Sequence, residues 1–344
     1  MKRFCALLLF FGMAAAAPGA DRGLSNEQLQ VRVGSDPHTM LEYLGKKGVN
    51  QLHQDAKGDG LLAGLGGNPG PPREGLQIAV RTPEGEPLAL EWKVIRQEPG
   101  AIRLRDTTGR FEAVLSLPEA ASAVDLQVIP LTDTPPAGRL ELIWHLQVGG
   151  DFLAVTTEGV ADVETVPTRD AATGAARLLV AEIERDQNIS HPLSQPWFAV
   201  SDRNQDVTFA VWFDAPASGV SLHGWSGQLL GREAMSRTLS LPPPTAPLRV
   251  RMMLLEPFNR PVAVLREGAL RWSAKDTLVF LPVAPVKEGQ VRLLAGEAPT
   301  PVLNTSFVAE KPLQPETFTL QNHPAKLAFE LRTGEGLQKT DLLE

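Results

Sequence analysis

The chain has 344 residues, of which 43% are hydrophobic, and this is enough for one large domain or two of ordinary size. Its 33 Lys and Arg residues against 40 Asp and Glu residues give a net charge of -7, and the basic residues form no dense runs. Nucleic acid and anionic membrane surfaces are therefore not expected as partners.

The first twenty residues have the features of a secretory signal peptide. Lys2 and Arg3 precede an apolar stretch over residues 4–17, which is too short to cross a membrane as a helix and is followed by small residues. We predict cleavage between residues 16 and 20. The chain is then expected in the periplasm or outside the cell, with no membrane span after removal of residues 1–20.

Several chemistries are not favoured by the sequence. The only cysteine, Cys5, lies in the predicted signal peptide, so the exported chain would have no disulfide and no thiolate nucleophile or metal ligand. No two histidines have the i, i+4 spacing of a helical zinc pair, and we predict no metal and no other cofactor. There is no G-x-S-x-G segment, which argues against a hydrolase with a nucleophilic serine elbow.

The first part of the exported chain mixes short elements with a long irregular segment. Residues 26–33 alternate as a strand does, and residues 40–44 predict a second strand. A short helix over residues 38–44 is the alternative, since Pro37 suits a helix start. Residues 51–74 are so rich in Gly and Pro that they predict a loop.

Strands then follow one another closely from residue 76 to residue 183. Each apolar or alternating run is five to ten residues long and is bounded by turn residues, which is the spacing of antiparallel all-β proteins. The predicted strands cover residues 76–81, 88–97, 101–105, 111–117, 124–130, 140–148, 153–157, 160–166 and 176–183.

A β-hairpin is predicted at the centre of the chain. The apolar runs Trp197–Val200 and Val207–Phe213 flank the polar turn over residues 201–206. Because similar strands and turns precede and follow it, this hairpin is expected near the middle of a large sheet.

The pattern of predicted elements changes in the last third of the chain. Residues 248–255 predict a very apolar strand, and residues 260–270 predict a helix because Pro261 lies early and Gly268 late. Beyond residue 273, short strands are predicted at 277–281, 290–294, 317–320 and 326–331, separated by Pro-rich links. The sequence therefore predicts an all-β protein, with a large antiparallel two-sheet sandwich over residues 21–272 and a small β-rich C-terminal extension over residues 273–344.

Three side chains are candidates for a catalytic role. His191 and His223 each lie at a strand end beside a tryptophan-bearing stretch, and Glu256 ends the apolar strand 248–255. Histidine can transfer protons near neutral pH, and a carboxylate at the rim of a buried strand can act as a base. A hydrogen-bonded structural histidine and a turn-forming glutamate are the alternatives.

Flat aromatic side chains are candidates for stacking on sugars. Trp197 and Trp225 are the tryptophans we predict to bind a ligand, with His53 and Arg73 of the Gly/Pro-rich loop at the rim of the site. Tryptophan is equally at home in a β-sheet core, so burial is the alternative for each.

The order of these features resembles a known family. An early strand pair ending in Gly48-Val49-Asn50-Gln51-Leu52, then a Gly/Pro-rich loop and a long antiparallel run, resembles the galactose mutarotase-like supersandwich of aldose epimerases, polysaccharide lyases and glycosidase accessory domains. The resemblance covers residues 24–272. In the epimerases a histidine acts as acid and a late glutamate as base, which implies His191 or His223 with Glu256 here.

Two functions of different classes follow from this reading. The first is an exported protein that binds or processes carbohydrate on one sheet face, with the Gly/Pro-rich loop at its rim. The second is a non-catalytic envelope or assembly protein whose sheets bind a protein partner. The sequence leaves open whether the chain is an enzyme.

Overall fold

A computed structural model describes residues 22–46, 49–52, 75–83, 85, 87–132, 138–146, 162–184, 186–202, 206–229, 232–296, 300–321 and 326–343. The predicted signal peptide, the strand predicted at residues 153–157 and most of the Gly/Pro-rich loop lie outside these ranges. Every regular element within them is a β-strand, so none offers a helix long and apolar enough to cross a membrane.

The strands of the first half are short, and most are bounded by turns. They are β1 (Gly23–Ser25), β2 (Gln30–Val33), β3 (Leu41–Lys46), β4 (Val49–Asn50), β5 (Leu76–Arg81), β6 (Pro87–Ala89), β7 (Trp92–Glu98), β8 (Ala101–Asp106), β9 (Phe111–Ser116), β10 (Ala123–Pro130), β11 (Arg139–Leu146), β12 (Val163–Arg169), β13 (Ala176–Glu182) and β14 (Gln187–Pro192).

The second half begins with the central hairpin and continues to the end of the described chain. Its strands are β15 (Trp197–Asp202), β16 (Val207–Phe213), β17 (Ser221–Leu229), β18 (Arg232–Leu241), β19 (Leu248–Leu255), β20 (Ala263–Leu265), β21 (Gly268–Ala274), β22 (Thr277–Pro282), β23 (Val286–Ala295), β24 (Pro301–Ala309), β25 (Glu316–Thr319), β26 (Leu327–Thr333) and β27 (Gly336–Leu342).

Two large antiparallel sheets form the body of the protein. The ten-stranded sheet has the order β1-β2-β3-β5-β11-β18-β17-β14, with β4 beside β3 and β6 beside β5. The nine-stranded sheet has the order β13-β12-β15-β16-β19-β10-β9-β8-β7, so the predicted central hairpin, β15 and β16, lies inside it. The prediction of an all-β, two-sheet sandwich with a small C-terminal β extension is confirmed.

The core of the sandwich lies between these two sheets. Alternate residues of each strand point inward, as the period of two requires. Trp144 of β11 meets Phe198 of β15 across the interface, with ring centroids 5.4 Å apart and an angle of 65° between the planes. Both rings belong to the largest cluster of buried apolar side chains.

Two four-stranded sheets follow, in the orders β20-β21-β22-β25 and β24-β23-β26-β27. They enclose a second apolar cluster, which includes Phe280 and Phe329. A third cluster joins Leu281 of β22 to the outer side of the nine-stranded sheet, where Trp197 and Met253 lie. The boundary predicted at residue 272 falls inside β21, and the division into two domains stays a prediction.

The helix predicted over residues 260–270 is wrong. This segment forms β20 and β21, a hairpin in which Leu265 pairs with Gly268 across a two-residue turn. β21 also pairs with β22, so tertiary pairing outweighs the local signals of Pro261 and Gly268. Of the two alternatives predicted earlier in the chain, a strand over residues 40–44 and a helix over residues 38–44, the structure has the strand, β3.

Candidate functional site

The strongest candidate site lies on the outer side of the ten-stranded sheet. Strand register places Ser190 of β14, His223 of β17 and Thr238 of β18 in one row, since directly paired residues of antiparallel strands point to the same side. Leu222 and Leu239, one position along, point into the core. We call this surface the His223 face; it comprises Arg81, Arg139, Glu141, Ser190, Ser221, His223, Trp225, Thr238 and Ser240.

Both ring nitrogens of His223 have a serine partner. Ser190 Oγ lies 3.0 Å from Nδ1, and Ser221 Oγ lies 2.8 Å from Nε2. A neutral imidazole has one donor and one acceptor nitrogen, so one serine accepts an N–H and the other donates its hydroxyl. The first serine keeps its own O–H donor, and the second keeps its acceptor lone pairs for a further partner.

The environment of His223 favours the neutral ring. Burial lowers the pKa of His223, the charge of Glu141 raises it, and the nearby cations Arg139 and Arg81, together with His191, lower it further. The net direction is downward, so at neutral pH the ring can both donate and accept hydrogen bonds.

An ion pair and a set of arginine hydrogen bonds hold the part of the face next to His223. Arg81 donates from Nε to Glu141 Oε1 at 2.6 Å and from Nη2 to Oε2 at 3.2 Å. Arg139 donates to Ser240 Oγ at 2.6 Å and to the carbonyl oxygens of Ser240 and Gly219 at 2.8 and 2.5 Å. Because these groups already bind one another, they orient the face beside Ser190, Ser221 and His223.

Trp225 supplies an aromatic surface on the same side. It stands two residues after His223 on β17, and its ring is half-buried. A Cβ atom on Gly227 would lie only 2.5 Å from the Trp225 ring, so the glycine makes room for the indole. The ring thus lies over Gly227, on the same side of β17 as His223 and Ser221 and further along the strand.

His191 does not share this face. It pairs with Leu222, so its ring points toward the interior between the sheets, near the buried residues Glu164 and Arg237. Burial lowers the pKa of His191, while the charge of Glu164 raises it and those of Arg177 and Arg237 lower it. The two histidines proposed as alternatives are therefore on opposite sides of one sheet.

Glu256 lies elsewhere in the sandwich. It follows β19, and its carboxylate forms an ion pair with Lys46 Nζ of β3. β3 and β17 are four strand spacings apart in the ten-stranded sheet, roughly 19 Å. The structure thus does not bring Glu256 into contact with His223.

The remaining predicted ligand-binding residues divide into two groups. Trp197 is only 1% exposed, and its Nε1 donates to Gln195 Oε1 at 2.8 Å, so its ring is packed in the core and is closed to a ligand. His53 and Arg73 lie outside the described residues. Of the predicted ligand-binding side chains that the structure describes, Trp225 is the one on the same face as a predicted catalytic residue, His223.

Most residues of the His223 face were not predicted from the sequence. Ser190 and Glu141 come from strands far from β17 in the chain, and only the register of the sheet brings them beside His223. The one available signal was the alternation of Ser221, His223 and Trp225, which places all three on one side of a strand. In the part of the chain that the structure describes, no group of three or more His, Cys, Asp or Glu side chains could hold a metal ion.

Acidification is expected to destabilise the fold through His191 and His223. Because burial lowers the pKa of both rings, the unfolded chain binds protons at a higher pH than the folded chain. Their contribution is complete above about pH 6.5 and is lost as the pH falls through the lowered pKa values. The double variant His191→Gln/His223→Gln should therefore show a smaller fall in melting temperature between pH 7.5 and 5.5 than the wild type. Equal falls would contradict this assignment.

No family model and no curated protein matches the chain. Solved structures that resemble it include a galactose mutarotase related enzyme from Lactobacillus acidophilus, at 11% identity over 70% of this chain and 99% of that one, with a TM-score of 0.43. A galactose mutarotase-like protein from Lactobacillus casei has 9% identity over 67% and 99%, with a TM-score of 0.42. The 4-alpha-glucanotransferase of Thermococcus litoralis has 11% identity over 67% and 38%, with a TM-score of 0.39.

These matches confirm the predicted resemblance to galactose mutarotase-like proteins as one of layout. Identities of 9–11% and TM-scores below 0.5 carry no site, substrate or activity over to this chain. The binding function proposed below therefore rests on the His223 face alone.

Proposed function

We propose that this protein binds carbohydrate on the His223 face. The observation that carries the proposal is that the half-buried Trp225 ring lies on the same side of β17 as an imidazole whose two nitrogens hold the hydroxyls of Ser190 and Ser221. A sugar presents apolar C–H groups on one side of its ring and hydroxyl groups at its edge. The indole suits the first, and the serine hydroxyls suit the second.

The hydrogen-bonding capacity of the face supports this ligand class. A sugar hydroxyl both donates and accepts, and the two serines together keep a free O–H donor and free acceptor lone pairs. Arg81 is paired with Glu141, and Arg139 is held by Ser240 and the carbonyl oxygen of Gly219, so the serine hydroxyls are the groups that favour a ligand rich in hydroxyl groups. The proposal assigns binding to these residues and includes no covalent step.

Export is part of the same proposal and rests on residues 1–20 alone. A carbohydrate-binding face on an exported protein would meet polysaccharides and their fragments outside the cytoplasm. Fractionation of cells that produce the full chain would test this, with recovery of the shortened chain in the periplasm or medium as the expected result.

Binding can be tested with a glycan array of plant, algal and host polysaccharides, followed by titration calorimetry with the oligosaccharides that bind. We expect Trp225→Ala and His223→Ala each to raise the dissociation constant at least about tenfold, or about 1.4 kcal/mol. The matched control is Trp212→Ala, since Trp212 is a half-buried tryptophan of β16 in the other large sheet. Binding unaffected by the two face variants, or no binding by any glycan, would count against the proposal.

A further inference from the structure

The two edges of the nine-stranded sheet differ in how they are protected. β7 carries a register shift between Val94 and Arg96 and exposes charged side chains such as Lys93. Bulges and edge charges of this kind prevent pairing with other strands. β13 pairs with β12 in continuous register, and its central residues 178–181 are Leu-Leu-Val-Ala. β13 therefore lacks the register shift found on β7, and its exposed charged side chains, Arg177 and Glu182, lie toward the two ends of the strand.

The hydrogen bonds on either side identify which backbone groups of β13 face outward. Ile183 N donates to Asp162 O at 2.9 Å, and Asp170 N donates to Ala175 O at 2.8 Å. Hydrogen-bonded pairs alternate in an antiparallel ladder, so odd-numbered residues of β13 bond to β12. Ala176, Leu178 and Val180 direct their N–H and C=O groups away from β12, and no described strand pairs with them there.

An apolar groove lies beside this edge. It has a volume of about 380 Å³ and separates Leu178 from the C-terminal sheets. Its lining consists of Leu178, Val262, Trp272, Ser273, Ala274, Lys275 and Leu343. Val180 points to the same side of β13 as Leu178, and it is 45% exposed. β13 thus carries an exposed apolar side chain, Val180, and also lines, through Leu178, a groove large enough to receive such a side chain.

We propose that β13 pairs with β13 of a second copy of this chain, in antiparallel orientation about a two-fold axis. Leu178 of each copy then lies opposite Val180 of the other, so each Val180 enters the groove beside the facing Leu178. The outward backbone groups of both strands become paired. Arg177 faces Ala181 in this register, so no like charges are opposed.

A second copy fits this edge because the features are self-complementary. In a two-fold symmetric interface, every contact occurs twice. Here each copy supplies the outward N–H and C=O groups of β13, the Val180 side chain and the groove beside Leu178. An extended backbone is the group that can satisfy N–H and C=O groups spaced two residues apart. This inference is independent of the carbohydrate proposal, since β13 and the His223 face belong to different sheets.

Sedimentation velocity on the full chain, from about 1 µM to about 500 µM, is the primary test. The interface is one short strand pair and two grooves, so we expect a weak dimer whose fraction rises with concentration. Val180→Lys should raise the dimer dissociation constant at least about tenfold, because it places a charge in the facing groove. The matched control is Val308→Lys, since Val308 is an exposed valine of β24, an edge strand of another sheet.

A second variant tests the backbone pairing itself. Leu178→Pro removes an N–H that points away from β12, and proline is tolerated in edge strands at such positions. We expect the purified variant to keep the wild-type circular dichroism and to lose the dimer; if it does not fold, Val180→Lys decides. Hydrogen exchange of residues 176–182 should slow as the wild-type concentration rises. A monomer at all concentrations, a dimer insensitive to Val180→Lys, or unchanged exchange in β13 would overturn the proposal.

Discussion

Replacing Arg237 with methionine is expected to lower the free energy of unfolding by about 3–5 kcal/mol. Arg237 lies on the inner side of β18, is fully buried, and donates from Nε and Nη2 to the two carboxylate oxygens of Glu164 on β12, each at 3.0 Å. The pair joins the two large sheets through the interior. Methionine would leave the Glu164 carboxylate buried without its cation, which costs far more than the net value of the pair.

Glu164→Gln is the informative comparison, and its loss should be smaller. Arg237 Nη1 also donates to the carbonyl oxygens of Trp225 and Ser236 at 3.2 and 2.9 Å and to Ser226 Oγ at 3.2 Å, so the guanidinium keeps partners without Glu164. Urea unfolding followed by circular dichroism would give both values. The double variant Arg237→Met/Glu164→Gln should lose less than the two single losses added together. A loss below about 1 kcal/mol for Arg237→Met would show that water reaches Glu164.

The strands of the sandwich could be predicted because alternation is a local property. The hairpin of β15 and β16 follows from two apolar runs around a polar turn. Asp206, the turn residue just before β16, has a φ of 53°, a value that Asp tolerates in turns. The same argument failed where strands are more exposed and polar. β24 (Pro301–Ala309) and β27 (Gly336–Leu342) were missed, since both are edge strands of a small sheet.

The site could be predicted only in part, because it depends on strand register. His223 and Trp225 were identified from their own stretch of sequence. Their partners were not, because a row of the ten-stranded sheet joins residues up to about a hundred positions apart, such as Glu141 and Ser240. The role of Gly224 also depends on its neighbours in the sheet. A Cβ atom there would lie 2.8 Å from the Arg237 side chain, so glycine at this position leaves room for the buried arginine.

Replacing Trp144 with alanine is expected to cost about 3–5 kcal/mol, comparable to the loss of Arg237. Trp144 is fully buried on β11, packs edge-on against Phe198 of β15, and donates from Nε1 to Met252 Sδ of β19 at 3.4 Å. Alanine would remove a large apolar surface from the interface between the two large sheets, and neighbours fixed in paired strands cannot move far to fill the cavity.

Trp144→Phe is the matched variant, and it should lose less because a smaller ring still reaches Phe198. We expect Trp144→Ala to lower the melting temperature by at least about 5 °C and Trp144→Phe by about half as much or less. The second apolar cluster, around Phe280 and Phe329, does not contact Trp144, so cooperativity can be examined at the same time. If Trp144→Ala shifted one of two separate transitions and left the other in place, the C-terminal sheets would unfold as a unit of their own. A single shifted transition would mean that the third cluster, which joins Leu281 to Met253, couples the sandwich to those sheets.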